Sequence, residues 1–153
     1  MSSQSTPTQD GQDATEPHRG AFSMLSKDEA DKLLESELRG YTLLLKENVG
    51  YNDLAQSRPY DMQLVDEFIA IMLDAIMSVG ATVRIGGEGK PRALVKSQLL
   101  KLTYSDVEHA IDQFKGVTER ITKKRQYILT LLYNCALETD AHYTNAVNSD
   151  KWQ

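Results

Sequence analysis

The run MQLVDEFIAIMLDAIMSV, residues 62–79, is apolar on nearly every side when wound at helical pitch. Leu64, Val65, Phe68, Ile69, Ile71, Met72, Leu73, Ala75, Ile76 and Val79 leave no broad polar stripe. A helix lying on a protein surface shows one apolar stripe, so this segment predicts the buried centre of a helical protein. Its densest part, Phe68 to Met77, is too short to span a bilayer and is broken by Asp74. Met62, Met72 and Met77 resemble a methionine-rich binding face, but methionine more often fills irregular gaps in helical interiors.

Upstream, Leu33, Leu34, Leu38, Tyr41, Leu44 and Leu45 recur at helical spacing. Ser26 and Glu29 fit a capping box at the start of that segment. Gly40 weakens its middle, so one bent helix or two short ones fit. Asn48 to Arg58 is polar and contains Gly50, and Pro59 disfavours helix at Arg58 before Asp61 caps the central helix. Residues 1–24 are rich in Ser, Thr, Gln, Asp, Gly and Pro, and are read as a disordered tail or linker ahead of one helical domain, 25–153.

Downstream, Gly80 ends the central helix, and Thr82 to Ile85 have the β-branched character of a short strand. The glycines of Gly86-Gly87-Glu88-Gly89 predict a turn or hairpin with positive φ. A phosphate loop needs Gly-x-x-x-x-Gly-Lys-Ser/Thr, whereas here Lys90 precedes Pro91, which has no amide to donate. Pro91 suits the first turn of a helix carrying Leu94, Val95, Leu99 and Leu102. Ser105 and Glu108 predict a second capping box, ahead of a helix that Gly116 closes. A last long helix is expected from about Thr122 through Cys135, with one more short helix between Thr139 and Asp150. The fold class is therefore mainly α: a compact bundle of about five to seven helices with a short β-strand or hairpin near 82–90.

A chain of 153 residues with 41% hydrophobic content supports one core. The lone Cys135 can form no internal disulfide and no four-cysteine zinc site, which suits a reducing cytoplasm. The first 23 residues lack the apolar stretch of a secretory signal, so a cytoplasmic location without membrane insertion is expected.

The net charge of −5 is unevenly spread. Residues 1–81 hold 14 acidic and 6 basic side chains, whereas residues 82–153 hold 8 acidic and 11 basic. Arg84, Lys90, Arg92, Lys96, Lys101, Lys123, Lys124 and Arg125 are the candidate contacts for nucleic acid or an acidic partner. On one shared face they would neutralise phosphates and release counterions. A solvated mixture of signs is the plainer reading. Lys123, Lys124 and Arg125 sit unfavourably near a helix start. Tyr104 or Tyr127 could stack bases, although Tyr127 is spaced with Leu131 as core residues are.

Catalytic chemistry finds little support. His18, His109 and His142 form no pair at metal-ligand spacing. His109 beside Glu108 forms an ordinary helical pair with Asp112. Cys135 on an apolar helix reads as a small buried hydrophobe rather than a nucleophile. No enzyme activity, metal or cofactor is expected.

Taken in order, three stretches resemble the C-terminal domain of RepA-type replication initiators from plasmids and mobile elements of Gram-positive bacteria. They are Val83 to Gly86, Pro91 to Leu102, and Tyr127 to Asn134, with the short helix Val107 to Lys115 between the last two. Asn48, Tyr51 and Leu54 upstream, and Tyr143 with Val147 and Asn148 downstream, extend the likeness over roughly residues 36–150. The sequence departs from that pattern at Gln98, where a basic residue is expected, and at Cys135-Ala136-Leu137, where a Pro-containing turn is expected. No winged-helix domain that would recognise an origin is expected from residues 1–24, so the resemblance implies a fragment or detached module. A looser similarity, over Val107 to Lys115 and Tyr127 to Leu132, is to the DnaD-like primosome domain. These resemblances imply a non-catalytic interaction module recruiting host replication proteins, namely a helicase loader, helicase or primase. The alternative is an accessory module contacting single- or double-stranded DNA nonspecifically. Oligomeric state is left open.

Overall fold

The computed structural model describes the backbone of residues 24–151 and side chains as far as Glu138. All of the expected tail but Met24 therefore lies outside the described residues, as do the side chains of Tyr143, Val147 and Asn148. The chain divides into two units, Met1–Arg39 and Gly40–Gln153. In chain order the elements are α1 (Lys27–Asn48), α2 (Tyr51–Ser57), a 3-10 turn (Pro59–Asp61), α3 (Met62–Ile76), β1 (Thr82–Ile85), β2 (Glu88–Pro91), α4 (Arg92–Leu99), α5 (Tyr104–Lys115) and α6 (Lys124–Lys151). The mainly α fold with one hairpin agrees with the sequence reading.

In the first unit the described part is the opening of α1. The expected capping box is present: Glu29 N donates to Ser26 Oγ at 3.2 Å, and Ser26 N donates to Glu29 Oε2 at 3.4 Å. Helix α1 continues through Gly40 without a break. A single helix, not two, is therefore the outcome of that open question.

The second unit is built on α3. Val65, Phe68, Ile69, Ile71, Met72, Ala75 and Ile76 of that helix are buried, with Phe68 and Met72 wholly so. Helices α4, α5 and α6 pack on it, adding Val95, Leu99, Val107, Ala110, Ile111, Ile128 and Leu132 to the core. Val95, Leu99, Ile128 and Leu132 lie in two of the three stretches singled out from the sequence. Helix α3 stops at Ile76 rather than Val79, and Val79 is fully exposed. Asp61 makes no side-chain cap for α3 as had been expected. Its carboxylate is instead taken by Lys115 Nζ at 3.0 Å and Arg58 Nη1 at 3.5 Å.

The hairpin is antiparallel, pairing Thr82 with Pro91, Val83 with Lys90, Arg84 with Gly89 and Ile85 with Glu88. Gly86 and Gly87 connect the strands at φ 58° and 85°, the left-handed geometry that a two-residue hairpin turn demands. Alternation buries Ile85 and turns Arg84 outward. Pro91 ends β2 and stands just ahead of α4, and Arg92 N donates to Ala81 O at 3.0 Å to close the hairpin base.

Two local readings need correction, and one stretch given no element is helical. Helix α2 falls in the stretch described only as polar, with Gly50 at φ 63° leading into it and Leu54 wholly buried. The cap of α5 is Thr103 with Asp106, not Ser105 with Glu108. Thr103 N donates to Asp106 Oδ2 at 2.9 Å, and Asp106 N to Thr103 Oγ1 at 3.5 Å. Asp106 is buried, while Glu108 is drawn to Arg58. Finally, α6 begins at Lys124 and runs unbroken to Lys151, so no separate helix follows Thr139.

Candidate functional site

The eight basic residues singled out from sequence occupy several places rather than one face. Arg84 is exposed on the outer side of β1. Lys90 Nζ lies 3.4 Å from Glu88 Oε2. Arg92, at the start of α4, donates from Nη1 to Ser78 O at 2.8 Å. Further along α4, Lys96 places its Nζ 4.7 Å from the centre of the Tyr41 ring. Lys101 is exposed beyond the end of α4 but is not free of a partner.

The basic run at the start of α6 is largely neutralised from within the fold. Lys124 Nζ lies 3.1 Å from Glu67 Oε1, and Arg125 pairs with Asp74, both acids belonging to α3. The two carboxylates offset what would otherwise be an unfavourable positive charge at a helix N-terminus. Binding phosphate through Lys124 or Arg125 would mean breaking those pairs. Among the described residues, Arg84 and Lys123 are the two of the eight whose side chains make no hydrogen bond, ion pair or ring contact.

Lys123 borders a cleft of about 410 Å³ between the Gly86-Gly87 turn, the loop 117–123 and the first turns of α6. Gly86 N donates to Thr130 Oγ1 at 3.1 Å and props the hairpin tip on α6. Arg120 and Glu119 share the rim with Lys123. Tyr127 forms part of the wall, half-buried, with its ring 6.2 Å from that of Phe114. Its role is thus mainly in packing.

The densest charged cluster, which sequence reading missed, centres on Arg58. Its Nε donates to Glu108 Oε2 at 3.0 Å, and its Nη1 and Nη2 reach the two oxygens of Asp112 at 3.0 and 3.2 Å. This forked grip is the geometry that a planar guanidinium favours. Hydrogen bonds donated to Asp112 first, and then to Glu108, push the guanidinium pKa further above its usual range. The Glu108 and Asp112 spacing on one helix was the available signal, but nothing local pointed to Arg58. Asp112 is thereby turned to Arg58 rather than paired with His109, as had been expected. His109 is exposed, with Gln113 Nε2 at 2.9 Å and Glu138 at 3.8 Å from its Nε2.

Cys135 is 2% exposed, and burial first, then Glu138 and Asp106, push its thiol up to about 11. It stays protonated near neutrality, the opposite of an activated nucleophile. Gln98, at the first departure from the initiator pattern, buries its Oε1 without a hydrogen-bond donor. Among the described residues, no cluster of three or more His, Cys, Asp or Glu could hold a metal ion. No helix among them is long and apolar enough to cross a membrane.

A different surface stands out in the leucines of α1, which recur at helical spacing. In the first unit Leu33, Leu34 and Leu38 are 51%, 55% and 44% exposed. In the second unit Leu43 and Leu44 are also exposed, while Leu45 is wholly buried. Large apolar side chains repeated along one helix differ from the isolated exposed leucine common on protein surfaces.

Comparison with known families places these observations in a wider group. Residues 2–152 match a family of unknown function, DUF6017, and the chain belongs to that family. Neither the curated proteins nor the solved structures include a match to the chain.

Proposed function

We propose that this DUF6017 member is a non-catalytic interaction module of a plasmid or mobile-element replication initiator, recruiting a host helicase loader, helicase or primase to the origin. The observation that carries the binding role is the set of exposed leucines, Leu33, Leu34 and Leu38, on the opening of α1. Such a row presents apolar area that association with a partner would remove from water. The replication setting rests on the resemblance to the initiator domain. Five of the residues that carry that resemblance, Val95, Leu99, Val107, Ile128 and Leu132, lie in the core. Recruitment of this kind acts through effective concentration rather than bond chemistry.

The test is direct binding of the whole chain to purified host helicase loader, helicase and primase. Retention of one of them at low salt supports the proposal, and failure with all three refutes it. Nucleic-acid contact is the second reading, favoured by Arg84 and Lys123, whose side chains have no partner among the described residues. Two phosphate contacts would give a salt slope of only about −2 for duplex DNA. Fluorescence anisotropy with single-stranded and duplex DNA, for the parent chain and a Lys123→Glu, Lys124→Glu, Arg125→Glu variant, measures it. Tight binding with a steep salt slope, lost in the variant, would reverse the ranking of the two readings.

A further inference from the structure

We infer that the Leu33, Leu34 and Leu38 face of α1 docks as a helix into an apolar groove rimmed by Lys and Arg side chains on the recruited protein, and that it does not pair with a second copy of this chain. The inference rests on the recruitment reading and adds the surface used and the chemistry of the partner. Its first support is the local structure. The segment is helical from Lys27, and its start is fastened by the reciprocal Ser26 and Glu29 bonds. Leu34 and Leu38 are one turn apart on the same side, with Leu33 flanking them, an anchor spacing suited to a groove-bound helix.

The second support is the charge around those leucines. At 3.6 residues per turn, Asp31 and Glu37 fall about 60° to either side of Leu34, and Glu35 about 100° away. Lys32 and Arg39 fall about 160° and 140° away, on the far side. Acid thus lies on both sides of Leu34 and Leu38, with Glu37 between Leu34 and Leu33. Between residues 27 and 39, Lys27 alone, two turns earlier and about 20° from Leu34, brings a basic group to this side. In a self-pair, parallel or antiparallel, acidic flank would meet acidic flank, and like charges in register disfavour association. A groove with basic rims matches the same pattern attractively and gains on-rate as well.

The experiment measures dissociation constants of the full chain for purified host helicase loader, helicase and primase at about 50 mM and about 500 mM salt, a range over which surface charges pass from weakly to strongly screened. Leu34→Ala with Leu38→Ala is expected to weaken binding by about tenfold per leucine. Asp31→Lys with Glu37→Lys is expected to weaken it several-fold at low salt, with the difference shrinking at high salt. Because Leu34 and Leu38 are exposed, circular dichroism of both variants should match the parent. If the parent chain binds none of the three proteins, the recruitment reading itself falls, and this inference with it. If it binds one with unchanged affinity after the leucine substitutions, recruitment stands and the assignment of the face is wrong. A dimer in sedimentation that the leucine substitutions abolish would make a second copy the occupant and overturn the inference.

Discussion

Replacing Arg58 with Met removes a cation that lies within 3.5 Å of three carboxylates, those of Asp61, Glu108 and Asp112, while keeping a long apolar stem. The Arg58 side chain is 23% exposed, and the partners differ in cover: Asp61 is 15% exposed, Glu108 33% and Asp112 62%. The Asp112 contact is well solvated and contributes about 0.5 kcal/mol at most, as exposed pairs do. The more covered Glu108 hydrogen bond contributes about 1 kcal/mol. Asp61 keeps Lys115 at 3.0 Å, so its loss is partial. We expect about 2 kcal/mol of destabilisation, a fall in Tm of roughly 8 °C for a domain of this size. Thermal unfolding followed by far-ultraviolet circular dichroism measures it, and high salt should shrink the difference. Arg58→Lys, which keeps the charge but not the fork, should lie between parent and Met variant. A shift under about 2 °C for Arg58→Met would refute the view that this cluster fastens α2 and the 3-10 turn to α5.

Other substitutions test separate features. Thr103→Ala should cost about 1 kcal/mol by removing the cap of α5, whereas Ser105→Ala should cost almost nothing, as urea midpoints will show. Gly40 lies inside a helix with no atom within 4 Å of a would-be Cβ, so Gly40→Ala should stabilise by about 0.5–1 kcal/mol. Gly87, at φ 85°, should lose about 1–2 kcal/mol on the same change, because a side chain there is strained whatever the space. Cys135 should react slowly with a disulfide reagent at pH 8 and rapidly once unfolded. Its thiol pKa is raised to about 11 in the fold from the usual 9.0. The unfolded chain therefore loses its proton first, and stability should fall as pH rises from about 9 to 11, a slope that Cys135→Ala should reduce, Tyr51 adding its own share above about 10 because its pKa is also raised.

How much was legible in the sequence depended on how local the cause was. The central helix, the Gly86-Gly87 turn and the Ser26 cap each follow from a few adjacent residues and were readable. Helix α2 was not, because among its seven residues only Leu54 is buried and a single apolar position shows no period. The cap of α5 was misplaced by two residues because Thr103 with Asp106 and Ser105 with Glu108 share one spacing. Burial of Asp106 and capture of Glu108 by Arg58 decide between them, and both are tertiary. The basic residues near 82–125 were visible as a count, but their partners Glu67 and Asp74 lie some fifty residues earlier on α3. The α1 leucines showed a helical period, yet period alone does not say whether anything lies opposite.

Helix α2 is held chiefly by side-chain bonds to other elements. Tyr51 Oη donates to Asp66 Oδ1 at 2.5 Å, Ser57 Oγ and Tyr104 Oη share a hydrogen bond of 2.6 Å, and Arg58 closes the far end. Seven residues are too few to sustain a helix alone, and Leu54 is its one buried side chain. This segment should therefore open before global unfolding, exchanging its amide hydrogens with solvent far sooner than α3. A protease given the native protein would make its first internal cut there. Ionic strength, rather than temperature alone, would govern how often that door stands ajar.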